Sequence, residues 1–114
     1  MIKKRLLVPD RVRCPPREGF SWVDRRFLRE YAERLTGDAI LLYFFLAAVS
    51  DKHGLSFYSD QSLARHLRIR EQAVVDAREE LFVQDLVAYQ HPLTQVLSLP
   101  PTRVARGGWQ AFGR

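Results

Sequence analysis

The sequence is short of most features that mark a catalytic, secreted or membrane-bound chain. It has one cysteine, Cys14, in 114 residues. One cysteine excludes an internal disulfide and any multi-cysteine metal site, and it is in keeping with a reducing compartment. The three histidines, His53, His66 and His91, are scattered, with no H-x-x-H, H-E-x-x-H or C-x-x-C spacing. No metal site is therefore expected. There is no glycine-rich loop to cradle a phosphate, since Gly107-Gly108 stands alone. Acid pairs such as Glu79-Glu80 are adjacent on a helix and do not face each other. No converging set of groups emerges, so neither catalysis nor a cofactor is expected. The longest apolar run, Ala39 to Val49, is eleven residues, against the roughly 20 of a membrane-spanning helix. The apolar stretch Leu6-Leu7-Val8 in the opening MIKKRLLVPD is too short for a signal peptide. A cytoplasmic chain without membrane contact is the expectation. No repeat or low-complexity tract is visible.

What is present is globular. Hydrophobic residues make up 46% and charged residues 27%, which suits one domain with one core. The formal charge of +5 is unevenly spread. Residues 1–35 hold ten Lys/Arg and five Asp/Glu, residues 36–99 five and eight, and residues 100–114 three and none. Basic ends flank a mildly acidic middle, a pattern that fits phosphate contacts made by the ends.

Pro9, Pro15 and Pro16 argue against a regular element over 1–20. This is an extended basic arm, either solvated or laid along a partner through Lys3, Lys4, Arg5, Arg11 and Arg13. Ser21-x-x-Asp24 has the form of a capping box, and a helix is expected over 24–35 with Phe27, Leu28, Tyr31, Ala32 and Leu35 inward. Its Arg25, Arg26, Arg29 and Arg34 form either a solvated face paired to Glu30 and Glu33 or a phosphate-contacting one. Thr36 caps the next helix, 37–51, whose AILLYFFLAAVS run is apolar nearly all round and must be buried on most sides. Tyr43, Phe44 and Phe45 read as core. Gly54 suits a left-handed end position. A strand is expected over 55–58.

The stretch SDQSLARHLRIREQAVVDAREELFVQDL, Ser59 to Leu86, holds the domain's organisation. Ser59 and Asp60 cap a helix over 60–67, with Leu63, Ala64 and Leu67 on one face. Arg68-Ile69-Arg70 is the turn, with Ile69 facing the core. Val74, Ala77 and Leu81 are the inward positions of a second helix over 71–84. DLVAYQ and QVLSLP then give strands over 86–90 and 95–99, with His91-Pro92-Leu93-Thr94 as the tip.

SLARHLRI, the positions Val74, Ala77 and Leu81, DLVAYQ and QVLSLP together resemble the winged helix-turn-helix family over roughly residues 36–99. The resemblance implies a mainly α fold with a small antiparallel β hairpin, here with a helical N-terminal extension, an arm over 1–20, a domain over 21–99 and a basic tail over 100–114. It also implies duplex DNA as the partner, read by the second helix in the major groove. Small bacterial proteins of this type regulate transcription or act as accessories of replication and mobile elements, at the nucleoid. The face expected in the groove departs from a basic pattern, since it carries Glu71, Gln72, Val75, Asp76 and Glu79. Phosphate contacts would then fall to Arg65, Arg68 and Arg70, with Arg25, Arg26, Arg29, Lys3, Lys4 and Arg5 adding to them. Gln72 is the candidate base reader. Arg78 stands where the family often has an apolar residue and is expected to pair with a carboxylate at the core edge. Three readings stay open. The chain binds DNA, or it is a protein-interaction module that docks through its acidic second helix, or it is a homodimer with DNA across both subunits. Trp109 and Phe112 in the tail are candidates for packing against the domain or a partner.

Overall fold

The computed structural model describes residues 3–101. They form a mainly helical fold with a small three-stranded antiparallel sheet. Helix α1 spans Gly37–Val49, α2 Asp60–Leu67 and α3 Glu71–Val83. Strand β1 is Leu55–Ser56, β2 Val87–Gln90 and β3 Leu93–Val96, in the sheet order β1-β3-β2.

Local chemistry sets the helix starts. Thr36 Oγ1 accepts from the Ala39 amide at 3.2 Å, and Ser59 Oγ from the Ser62 amide at 3.0 Å, so each supplies an acceptor to an opening turn that has none within the helix. Helix α1 buries Ala39, Leu42, Tyr43, Leu46 and Ala47, while α3 buries Val74, Ala77 and Leu81. Phe44 does not join this core. It and Leu41 remain 40% exposed, so α1 keeps an apolar strip open to water although its sequence is apolar all round.

A carboxylate fastens α3 to α1. Glu80 accepts from the Thr36 amide at 2.9 Å and from its hydroxyl at 2.6 Å. The hydroxyl that caps α1 is thus held by the last turn of α3. Glu80→Ala is expected to lower unfolding stability by about 1–2 kcal/mol, the worth of a cap and a charge-assisted hydrogen bond at a partly wet site. A urea titration checks this, and Glu80→Gln should lose less because it still accepts.

Residues 24–35 do not form one regular α-helix. Phe27–Tyr31 is a π turn and Ala32–Arg34 a 3-10 turn. Nor does Ser21-x-x-Asp24 form a capping box. The Ser21 hydroxyl donates to the Ala48 carbonyl at 3.2 Å, and Asp24 accepts from the Arg26 amide at 2.8 Å. The wider π turn brings both Phe27 and Tyr31 into the core. Phe27 stacks flat on Tyr43, with ring centroids 4.1 Å apart. Packing decides the local winding here, at the expense of the regular hydrogen-bond ladder.

The hairpin is tighter than the sequence suggests. Its tip is His91-Pro92, joined by a cis peptide bond, and β3 begins at Leu93 and not at residue 95. The register pairs Val87 with Val96 and Tyr89 with Thr94. That places Thr94 inward at 4% exposure. A single bond, Leu97 N to the Leu86 carbonyl at 3.0 Å, extends the pairing past β3. Strand β1 is only two residues long, and Tyr58 beyond it packs edge-on against Phe45. Trp109 and Phe112 lie outside the described residues.

Candidate nucleic-acid interface

The corner between α2 and α3 is built from its backbone outward. Helix α2 ends at Leu67, and Arg68 takes the left-handed conformation at φ 61°. The amides of Arg68 and Ile69 both donate to the Ala64 carbonyl, the latter at 3.1 Å, which closes the helix end. Ile69 folds back onto the core. Its neighbours Arg68 and Arg70 are exposed, as is Arg65 on the last turn of α2. Among the described residues these three guanidiniums make no ion pair and no side-chain hydrogen bond. Arg70 is also the N-cap of α3 and offers no side-chain acceptor to its first turn. The opening amides of α3 therefore point out beside the arginines, a combination suited to an anion.

The exposed face of α3 has a different character. Glu71, Gln72, Val75, Asp76 and Glu79 are all exposed. Gln72 does not stand free, because its amide donates to Asp76 Oδ1 at 3.0 Å. Phe82 and Val83 continue the same face at 56% and 67% exposure, and these two were not singled out from the sequence. The seven-residue step from Val75 to Phe82 is two helical turns, a signal that was available.

The one cation of α3, Arg78, turns inward. Its guanidinium forms an ion pair with Asp60 at the start of α2 and stacks on the Tyr89 ring of β2, 4.1 Å from the centroid. A carboxylate partner for Arg78 was expected, and Asp60 is that partner.

The N-terminal arginines divide. Arg26 does not present a free guanidinium. It holds Glu30 through two bonds, at 3.2 and 3.1 Å, and the Pro100 carbonyl at 2.7 Å. The hydrogen bond from Arg26 lowers the Glu30 carboxyl below its ordinary range and raises the guanidinium in return. Arg26 thereby ties the N-terminal segment to the chain leaving the sheet. Arg34 donates to Gln84 at 3.0 Å. Arg25 and Arg29 are exposed, the latter 4.0 Å from Glu30. Lys3, Lys4 and Arg5 are exposed on an arm that buries nothing over residues 3–20.

Compared with protein-family models, curated proteins and solved structures, the chain has no match. A cleft of about 540 Å³ lies where residues 20–24 cross the end of α1 and the 51–54 loop. Tyr43 and Ala47 form its floor, and Asp24 and Asp51 stand at its wall. Burial pushes the Tyr43 hydroxyl up, and backbone donors from Leu55 and His53 hold the Asp51 carboxyl down. Asp51 is thus occupied in closing its own loop. Among the described residues no group of three or more His, Cys, Asp or Glu is placed to hold a metal ion.

Proposed function

We propose that the chain is a winged helix-turn-helix protein that binds duplex DNA, a non-enzymatic regulator or an accessory of replication or transposition. The element order α1-β1-α2-α3-β2-β3, with β1 paired to the hairpin, supports the fold part of that reading. The observation that carries the DNA part is the corner of Arg65, Arg68 and Arg70, exposed and without partners among the described residues around the open start of α3. Arg25, Arg29, Lys3, Lys4 and Arg5 add to the positive field on the N-terminal side. The carboxylates of α3 are repelled by phosphates, so the helix sits shallowly against the groove. Affinity then rests on the backbone more than on bases.

The test is fluorescence anisotropy of labelled random-sequence duplex over a salt series. A logarithmic affinity that falls linearly with logarithmic salt is expected. Arg65→Ala, Arg68→Ala and Arg70→Ala should each weaken binding alike on all sequences and each reduce the slope by about 0.9. No binding at low salt, or three variants indistinguishable from the parent, would overturn the reading. The second reading, a protein-docking module, is favoured by one observation of its own: Val75, Phe82 and Val83 stand exposed among carboxylates on α3.

A further inference from the structure

We propose that the exposed face of α3 is covered in solution by the N-terminal arm of a second copy of this chain, and that the exchange is reciprocal. The face joins Val75, Phe82 and Val83 to the carboxylates of Glu71, Asp76 and Glu79. It has no cation of its own, because Arg78 is committed to Asp60. The arm carries the opposite chemistry in a matching order. Lys3-Lys4-Arg5 come first, then Leu6-Leu7-Val8, and all six are exposed.

Charge alone would make the arm a general phosphate binder. The apolar triplet argues for a protein surface. Leu6, Leu7 and Val8 touch no core, and their apolar area is worth roughly 25 cal/mol per Å² if removed from water. A duplex offers little apolar surface to do this, whereas Phe82 and Val83 offer it directly. The lengths agree as well. From Glu71 to Val83 α3 rises about 18 Å, at 1.5 Å per residue. From Lys3 to Val8 an extended arm spans about 17 Å, at 3.3 Å per residue. Leu7 and Val8 bend the arm ahead of the 3-10 turn Pro9–Arg11, and they straighten when the arm lies along the face. Laid along α3, the cations run beside Glu71, Asp76 and Glu79 and the triplet meets Phe82 and Val83 at the end of the helix.

The occupant is a second copy because the chain's own arm lies off its body, with residues 3–20 exposed throughout. Each copy supplies one arm and one face, so two copies satisfy each other and the assembly closes at a dimer. Six arm residues and six face residues from each copy make a contact smaller than the roughly 20–30 residues a side of a standard interface, so the dimer is a weak one.

The experiment is sedimentation of the full chain without DNA, at low and high salt. A dimer that weakens as salt rises is expected. The triple variant Glu71→Lys, Asp76→Lys, Glu79→Lys should weaken association about tenfold or more, and so should Lys3→Glu, Lys4→Glu, Arg5→Glu. All six positions are exposed, so circular dichroism should show both variants folded. Mixed one to one, the two variants should pair, since each acidic arm then meets a basic face and each basic arm an acidic one. A monomeric parent chain, a dimer indifferent to either variant, or a mixture that stays monomeric overturns the proposal. DNA is absent from the measurement, so its failure leaves the DNA reading where it stood.

Discussion

Gly54→Ala should lower unfolding stability by about 3 kcal/mol, an unusual loss for one added methyl group. Gly54 sits at φ +84°, and a Cβ there would lie 2.5 Å from the Val96 carbonyl oxygen. The left-handed conformation costs a non-glycine residue roughly 1–2 kcal/mol, and forcing backbone apart in a packed site adds roughly 1–3. The loop has little room to yield. The Gly54 amide donates to Asp51 at 2.9 Å, its carbonyl accepts from Val96 at 2.8 Å, and the Asp51 amide donates to Leu55 at 2.9 Å. Asp51 Oδ1 accepts from His53 and Leu55 as well. Gly19→Ala is the control. Gly19 also has a positive φ, +102°, but nothing lies within 4 Å of the added atom, and its arm packs on nothing. Its loss should stay under about 1 kcal/mol. Equal losses in urea titrations of the two variants would show that the contact with Val96 is not what makes Gly54 necessary.

The second large effect belongs to Arg78. Arg78→Ala is expected to cost about 3 kcal/mol, by three routes that act together. It leaves the Asp60 carboxylate without its partner, it removes the guanidinium from the Tyr89 ring, and it empties space in a residue that is 8% exposed. Asp60 keeps some contact with water, so the figure stands toward the lower end for breaking a buried pair. Arg78→Lys should lose less than the alanine, because an ammonium still pairs with Asp60 and its stem fills part of the space, while the planar stacking on Tyr89 is lost. A double-mutant cycle with Asp60→Asn, followed by denaturant midpoints, would give a coupling of about 1–2 kcal/mol. Additive losses would mean that the pair is a contact without consequence.

Much of the helical frame could be read from short-range chemistry. Ser59 and Thr36 cap because a hydroxyl three residues from an orphan amide has few better choices, and Val74, Ala77 and Leu81 turn inward because their period admits one face. The failures share a cause. Ser21 and Asp24 had the residues of a capping box, but Ser21 found the Ala48 carbonyl, far along the chain. The π turn of Phe27–Tyr31 answers to Tyr43 across the core and not to its own neighbours. The hairpin register was set by Thr94 reaching the interior opposite Tyr89. The candidate site follows the same division. The arginine corner was legible, because a left-handed turn residue and a helix start leave their side chains outside. That Arg26 would be drawn to Pro100 depended on where another segment ended up, whereas the bond from Gln72 to Asp76 is an i, i+4 pair within α3 and follows from local spacing.

The pairing of Leu55 with Gln95 has a consequence for how the chain is made. Synthesis runs from the N-terminus, so β1 leaves the ribosome some forty residues ahead of the strand that receives it. Helix α1 emerges earlier still, with Leu42 and Leu46 uncovered until the residues of α3 arrive. The closing pieces, β3 and the bond from Leu97 to Leu86, are among the last of the domain to appear. The nascent polypeptide therefore carries its most water-averse helix unshielded from the completion of α1 at Val49 until α3 ends at Val83. In that interval the growing chain is open to chaperone capture and to clumping with its neighbours on the same message.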